Sequence, residues 1–293
     1  MLSILIPTYN YDCTRLVTDL KHQAEHLGIN YEIIVADDAS PISAYKEKNR
    51  KINTIPHCLF IELEQNIGRA RIRNRLADEA QYEWLLFMDA DAEVINENFI
   101  ADYLAHTEAE VICGGLQHAN TLPSPEVSLR YAYEKRADKK RAAHYRNRTP
   151  YAHFTPFNFM IRRDLFQSIR FDERITEYGH EDTLFGIELA NSKATICHID
   201  NPLRHIGLES NNLFLEKTRA ALRNLSTMED SMQDYSTLLC VYKKLHQVGL
   251  DKLLSRCFAQ HESKFTSLLC QPHPHLGVFF FYKLAYYCNL KNQ

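Results

Sequence analysis

Four short, nearly unbroken apolar runs constrain this chain more than any other feature: "SILI" (3–6), "YEIIVA" (31–36), "CLFIEL" (58–63) and "WLLFM" (84–88). A strand buried on both faces reads as a continuous apolar run, whereas a half-exposed one alternates apolar and polar residues. Between the runs the periodicity is helical. Leu16, Val17, Leu20, Ala24 and Leu27 share one helical face, and Gly28 is placed to end that helix. "GRARIRNRLADEA" (68–80) and "NENFIADYLAH" (96–106) read as further helices, and "EVICGGL" (110–116) as a fifth strand. Strands of this kind alternating with helices predict an α/β fold with a mainly parallel sheet covered on both faces. Ligands of such sheets bind in the crevice beyond the carboxyl ends of the strands. The residues that follow each apolar run are therefore the ones to examine.

Farther along, Pro123 and Pro125 interrupt the pattern, and residues 125–148 carry eight Lys or Arg against three acidic residues. That segment reads as a solvated helix or excursion, with a phosphate- or membrane-facing surface as the second reading. "NFMIR" (158–162) and "ATICHI" (194–199) are expected strands, separated by a helix over Glu181 to Asn191. From Asn212 strand signals stop and helical periodicity takes over, which places a boundary at 211. The aromatic, basic-ended tail "HLGVFFFYKLAYYCNLKN" (275–292) reads as a helix packed on its own domain, with peripheral membrane contact as the second reading.

Composition narrows the classes. With 45% hydrophobic and 24% charged residues the chain is ordinary globular material, and a net charge of −3 gives no field for nucleic acid. No segment reaches the roughly 18 apolar residues of a membrane span. "MLSILIPTYN" lacks a basic leader and its apolar run stops at Pro7, so no signal peptide is expected. Eight cysteines lie singly, with no C-x-x-C pair, which fits a reducing, cytoplasmic compartment.

Each strand end carries a polar cluster. "PTYN" (7–10) can be a simple turn. "ADDAS" (36–40) can cap a helix or accept hydrogen bonds from a nucleobase imide or a ribose. In "ENIGRARIRN" the arginines 69, 71, 73 and 75 are spaced by two, so on a helix they cannot all face one way; Arg73 is the one expected to face the crevice. A helix beginning near Gly68 would favour an anion. "MDAD" ends the fourth run with Asp89 and Asp91, which point the same way in extended backbone. Like charges brought together need a cation or a proton between them. A hard divalent ion, Mn²⁺ or Mg²⁺, shared with substrate phosphates meets that need; a turn with a capping Asp is the alternative. In "YGHEDTLFGIEL" (178–189), Glu181 and Asp182 either cap a helix or present a general base. "HIDNPLRHIGLESN" (198–211) adds two histidines beside a proline turn.

Taken in order, "SILIPTYN", "YEIIVADDAS", "NIGRARIRN", "LLFMDADAEV" and "YGHEDTLFGIEL" resemble the family 2 glycosyltransferases of the GT-A fold, of the type that builds bacterial polysaccharides and glycoconjugates. The resemblance covers about residues 1–210. It implies a Rossmann-like catalytic domain over 1–211, with a nucleotide-sugar half (1–120) and an acceptor half (121–211), followed by a helical extension (212–293). Carried over residue by residue, it places Asp38 on the base, with Pro7, Thr8 and Tyr9 beside it and Asn66 and Gly68 on the donor. It maps an A-R-N element onto Arg73 and Asn74, although Ile72 stands where the family has Ala. Asp89 and Ala90 fall on the donor, and Asp91, with Asp89 and His205, on the metal. Glu181 and Asp182 become the catalytic pair, with Asp182 the base. "FNFMIRRDLF" (157–166) resembles the acceptor-lining segment, which puts Asn158, together with His180, on the acceptor.

The implied chemistry is inverting transfer of a sugar from a nucleotide-sugar donor, with uridine the family's commonest base, to a hydroxyl of a glycan or lipid-linked acceptor. Metal at Asp91 would neutralise the departing diphosphate. Two rivals share these residues: a catalytically silent sugar-nucleotide-binding partner subunit, and a haloacid-dehalogenase-type phosphatase using Asp89 and Asp91. The phosphatase places its D-x-D on the first strand, whereas three strands precede it here.

Overall fold

A computed structural model of the chain describes residues 1–175 and 178–293. Ten strands are present among them: β1 (Leu2–Thr8), β2 (Tyr31–Asp37), β3 (Cys58–Glu62), β4 (Trp84–Met88), β5 (Ala92–Glu93), β6 (Val111–Cys113), β7 (Leu116–His118), β8 (Asn158–Arg162), β9 (Ile196–His198) and β10 (Leu203–His205). Seven form one sheet in the order β3-β2-β1-β4-β8-β6-β9. Pairing is parallel throughout except at β8, which runs against both β4 and β6. The short strands β5, β10 and β7 form a second sheet.

The continuous apolar strands are divided between the two faces by the two-residue period of extended chain. Ile4, Ile6, Ile33, Val35, Leu86 and Met88 face one core with Leu16, Val17, Leu20 and Ala24 of the Thr14–His26 helix. Leu5, Ile34, Ala36, Leu85 and Phe87 face the other, with Ala70, Ile72, Leu76 and Ala77 of the Arg69–Glu79 helix. That second core is rich in rings. Phe87 stacks on Phe159 at 5.0 Å and Phe171 on Phe185 at 4.3 Å. Such pairs add about 0.5–1.5 kcal/mol each beyond their area.

The expected fifth strand is in fact two. The backbone of Gly115 lies at φ +95, a conformation that a strand cannot hold and that side chains disfavour. It lets the chain leave the main sheet after β6 and enter the small one as β7. A Cβ there would also press on the Arg146 guanidinium, 2.8 Å from Nη2.

Two compact units are distinguished by their internal contacts. One comprises 1–117, 139–175 and 181–207; the other comprises 118–138, 178–180 and 208–293. The second unit is helical, with a core of Leu129, Phe214, Leu215, Phe258, Leu269, Phe279 and Tyr282. One sequence expectation is corrected in these units, and one is met. The basic segment is not simply solvated. Arg130 is half-buried between Glu134 (2.6 Å) and Glu209 (3.7 Å), above the Phe214 ring. Arg146 is buried and donates to the carbonyls of Cys113, Gly114, Ile199 and Arg141. The aromatic tail, helix Leu276–Lys291, buries Phe279, Tyr282 and Tyr287 in its own unit. None of its large apolar side chains is exposed, as packing on its own unit predicts. No helix among the described residues is long and apolar enough to cross a membrane.

Candidate active site

The carboxyl ends of β1, β2 and β4 bring the first unit's polar clusters to one edge. Loops after β1 and β2 are tied together. Asp38 N–H donates to the Thr8 carbonyl (2.9 Å), and Asn10 N–H donates to Ser40 Oγ (2.7 Å). Asp37 is fully buried and accepts from Ser40 N–H (2.8 Å), so it shapes the loop. Asp38 accepts from the backbone N–H of Ile67 (2.7 Å) and of Gly68 (3.0 Å), while its carbonyl takes the Asn66 amide (3.1 Å). Burial pushes its carboxyl above the ordinary Asp range in spite of those two donors. This links the β2 end to the loop that enters the Arg69–Glu79 helix. Tyr9 stands at the rim, 51% exposed, with Thr8 buried beneath and Pro7 half-buried.

The four arginines separate as their spacing requires. Arg69, Arg71 and Arg75 are about half exposed and pair with Glu181 (3.8 Å), Glu173 (3.8 Å) and Glu79 (2.5 Å). Arg73 is only 2% exposed, lies over the Phe171 ring and donates from Nη2 to Asp89 Oδ1 at 2.7 Å. Asn74 beside it clamps the 171–173 segment, bonding the Phe171 backbone on both sides and Glu173 Oε1.

The two aspartates of "MDAD" thus have different partners. Asp89 holds the buried Arg73. Two residues on, beyond the buried Ala90, Asp91 Oδ2 faces His205 Nε2 at 3.1 Å, and Asp91's carbonyl accepts from Ile206 N–H at 3.0 Å. The pairing of β5 with β10 sets this register, His205 opposite Ala92. Gly207 then closes against Asp91: a Cβ at 207 would collide with its Cβ and carboxylate, so only glycine allows the approach.

Asp182 opens the Glu181–Asn191 helix and accepts from Thr183 N–H at 2.7 Å. Its carboxyl is raised to about 6, first by desolvation and next by the Glu181 charge, with Arg73 opposing. Glu181 itself is buried beside Arg69.

The model of glycosyl transferase family 2 matches residues 3–170, more than half of the chain. The chain belongs to that family. Its fold is the GT-A fold. A protein of Haemophilus influenzae described as an uncharacterized glycosyltransferase is 27% identical over 140 residues, which are 43% of this chain and 45% of that protein; the match spans less than half of that relative's length. Among solved structures, a mannosyltransferase from Pyrobaculum calidifontis in complex with GDP-Man and Mn²⁺ superposes with a TM-score of 0.58 at 14% identity, covering 100% of this chain and 87% of that one. S. aureus TarS 1-349 in complex with UDP-GlcNAc superposes with a TM-score of 0.51 at 18% identity, covering 99% and 91%. At these identities the likeness is one of fold, and the GT-A architecture expected from the motifs is the one observed.

Within this fold Asp91 and His205 are the side chains that could hold a divalent ion. Among the described residues no three His, Cys, Asp or Glu side chains converge on one point, but Asp91 and His205 form a pair. Adjacent ligands of an octahedral ion held at about 2.1 Å stand about 3 Å apart, close to the observed separation. An ion held by two side chains keeps positions for phosphate oxygens and water. Asp89, by contrast, is engaged by Arg73 and not with Asp91 and His205.

Asn158 is corrected. It is 0% exposed, its Oδ1 accepts from Tyr103 Oη (2.5 Å), and its Nδ2 donates to Gly115 O (3.2 Å) and Asn201 O (3.0 Å). That amide is a buried strut under the strand ends and presents no surface to an acceptor. His180 is half-buried with φ +73, next to Gly179, whose carbonyl takes the Asn224 amide at 2.7 Å.

Tyr11 escaped the motif reading. It is half-buried and lines a cavity of about 250 Å³ with Tyr45, Ala90, Ala92 and Ile206. Burial and, next, the Asp91 charge push its phenol up to about 12. Its only sequence signal is the second tyrosine in "PTYNY". His198 is a buried packing group: Nδ1 faces Arg146 Nη1 at 2.7 Å and Nε2 faces Pro150 O at 2.8 Å.

Proposed function

We propose that this protein is an inverting glycosyltransferase that moves a sugar from a nucleotide-sugar donor, a UDP-sugar, to a hydroxyl of a glycan or lipid-linked acceptor. The observation that carries the reading is Asp182, a carboxylate at a helix start whose proton affinity is raised to about 6 by desolvation and by Glu181. A general base works best when its pKa lies near the working pH. Asp182 takes the acceptor proton as the hydroxyl attacks the anomeric carbon, and one base with one displacement gives inversion. Asp91 and His205 would hold Mn²⁺ or Mg²⁺, which supplies charge neutralisation for the departing diphosphate. Arg73 fixes Asp89 at the end of β4. Asp38, with Tyr9, Pro7, Thr8, Asn66 and Gly68 about it, supports a base-binding edge; each Asp38 oxygen accepts one backbone N–H and retains a lone pair for a uracil imide.

We assign 1–120 to the donor, 121–211 to the acceptor and 212–293 to a helical extension. A cytoplasmic location is supported by eight unpaired thiols.

The test is Asp182→Asn. It is expected to lower turnover by at least a hundredfold, the common worth of a general base, and to leave donor affinity within a few-fold. Turnover of the parent protein should rise with pH through about 6, where Asp182 loses its proton. Near-parental turnover in the variant would overturn the assignment. Metal-dependent donor binding without nucleoside diphosphate release across a panel of sugar nucleotides would instead favour a silent partner subunit.

A further inference from the structure

The helical unit carries an exposed apolar and basic corner that catalysis does not use. The Thr237–Gln247 and Leu250–Leu269 helices are joined there by Val248 and Gly249 alone. Three aliphatic side chains stand out at the junction: Val248 is 68% exposed, Leu253 61% and Leu250 45%. Val241 continues the row one turn and more back along the first helix, at i−7 from Val248. The same stretch carries Lys243, Lys244, Lys252 and Arg256, the last three exposed. Among the described residues no carboxylate forms an ion pair with Lys244, Lys252 or Arg256. From 241 to 256 the one acidic residue is Asp251, which is buried and held by His246 (3.0 Å) and Asn292 (3.2 Å). The outward charge of the corner is thus positive, with nothing within it to cancel it.

We infer that this corner docks the protein on an anionic lipid surface. Leu and Val side chains can enter the boundary between headgroups and acyl chains while the bases meet lipid phosphates. Lys and Arg place apolar stems along such a boundary and charged heads in water. A second copy is disfavoured as the occupant, because a two-fold interface would set the same unpaired bases against their own images. The patch also lacks the Trp and Tyr that dominate the hot spots of protein interfaces and consists of Val and Leu, which are under-represented among such hot spots. The inference does not depend on the catalytic assignment.

Co-sedimentation of the full chain with phosphatidylcholine vesicles, with and without phosphatidylglycerol, tests it. Binding is expected only with phosphatidylglycerol, and it should weaken between about 0.1 M and about 1 M salt as the screening length falls from about 10 Å to about 3 Å. The triple change Lys244→Gln, Lys252→Gln and Arg256→Gln should weaken binding on the order of a hundredfold, because each base near the surface contributes a factor of about five. Val248→Ser with Leu253→Ser should weaken it without altering the preference for phosphatidylglycerol. All five side chains are exposed, so the variants should keep the parental melting temperature, which is measured alongside. Equal affinity for both vesicle types, or parental affinity in the triple variant, overturns the inference. So does a concentration-dependent dimer, seen by light scattering, that Val248→Ser with Leu253→Ser abolishes; the corner would then belong to a second copy.

Discussion

Asp182 and His198 titrate away from their ordinary ranges in ways that act on stability with opposite sign. Asp182 loses its proton near 6 when folded and near 3.8 when unfolded, so its ionisation works against the fold as pH rises through that window. His198, desolvated and facing the Arg146 cation, is pushed down to about 4 from 6.5, so its protonation works against the fold as pH falls through nearly the same window. The parental protein should therefore show a shallow stability profile between pH 4 and 6. His198→Gln, which keeps an acceptor for Arg146 and a donor for Pro150 O, should leave stability falling with pH; Asp182→Asn should leave it rising. Urea unfolding at four or five pH values distinguishes these slopes, and identical slopes in all three proteins would refute both assignments. The Arg73–Asp89 pair is asymmetric too. Arg73 is buried whereas Asp89 is 25% exposed. Asp89→Ala strands a buried cation and should cost about 3–5 kcal/mol, while Arg73→Met leaves a carboxylate that water can reach and should cost less than half as much by urea denaturation. At this scale the sequence is legible in part. The alternation of arginines shows that not all can face one way, and Arg73 is the one that turns inward as expected; what holds it there is Asp89, sixteen residues on, a partner that no local pattern announces. Asn158 follows an apolar ring and begins a strand, as an acceptor contact would; its burial comes from Tyr103 and Asn201, both remote in sequence.

Elements were most legible where apolar period and length agreed. β1 to β4 and the Arg69–Glu79 and Glu181–Asn191 helices lie within one or two residues of their expected bounds. The misreadings fall where tertiary partners reverse a local signal. Residues 125–148 look solvated by charge count, yet Arg146 fills the inner side of the turn after β6 with its guanidinium. Its hydrogen bonds reach four carbonyls; those of Cys113 and Gly114 also accept from the N–H groups of Ile199 and Asn201, whereas for those of Arg141 and Ile199 the guanidinium is the one donor among the described residues. Arg146→Met should therefore destabilise the protein by about twice the roughly 1–3 kcal/mol of one unsatisfied buried group. Arg146→Lys should recover only part of this, since an ammonium cannot span the same fork of acceptors. Thermal unfolding of the two variants checks the order, and a lysine variant as stable as the parent would show that charge alone suffices.

For the molecule as a whole, the sequence order of the sheet differs from its spatial order. β8 is inserted between β4 and β6, β9 completes the edge, and β10 carries His205 to β5. The family match ends at residue 170, before β9 and β10. A chain cut at 170 keeps the D-x-D segment but lacks His205, the outer strand and the helix that bears Asp182. It is expected to show no cooperative melting transition by circular dichroism; a sharp transition would mean that β9 and β10 are dispensable for the core. The same topology has a consequence in time. Asp91 and His205 are 114 residues apart, so at about 5–20 residues per second a growing chain leaves the ribosome with its carboxylate pair waiting roughly ten seconds for the imidazole. In a living cell the Asp91–His205 pair is thus assembled among the last features of the first unit, and a ribosome that stalls between the two residues releases a chain in which the carboxylate never meets its imidazole.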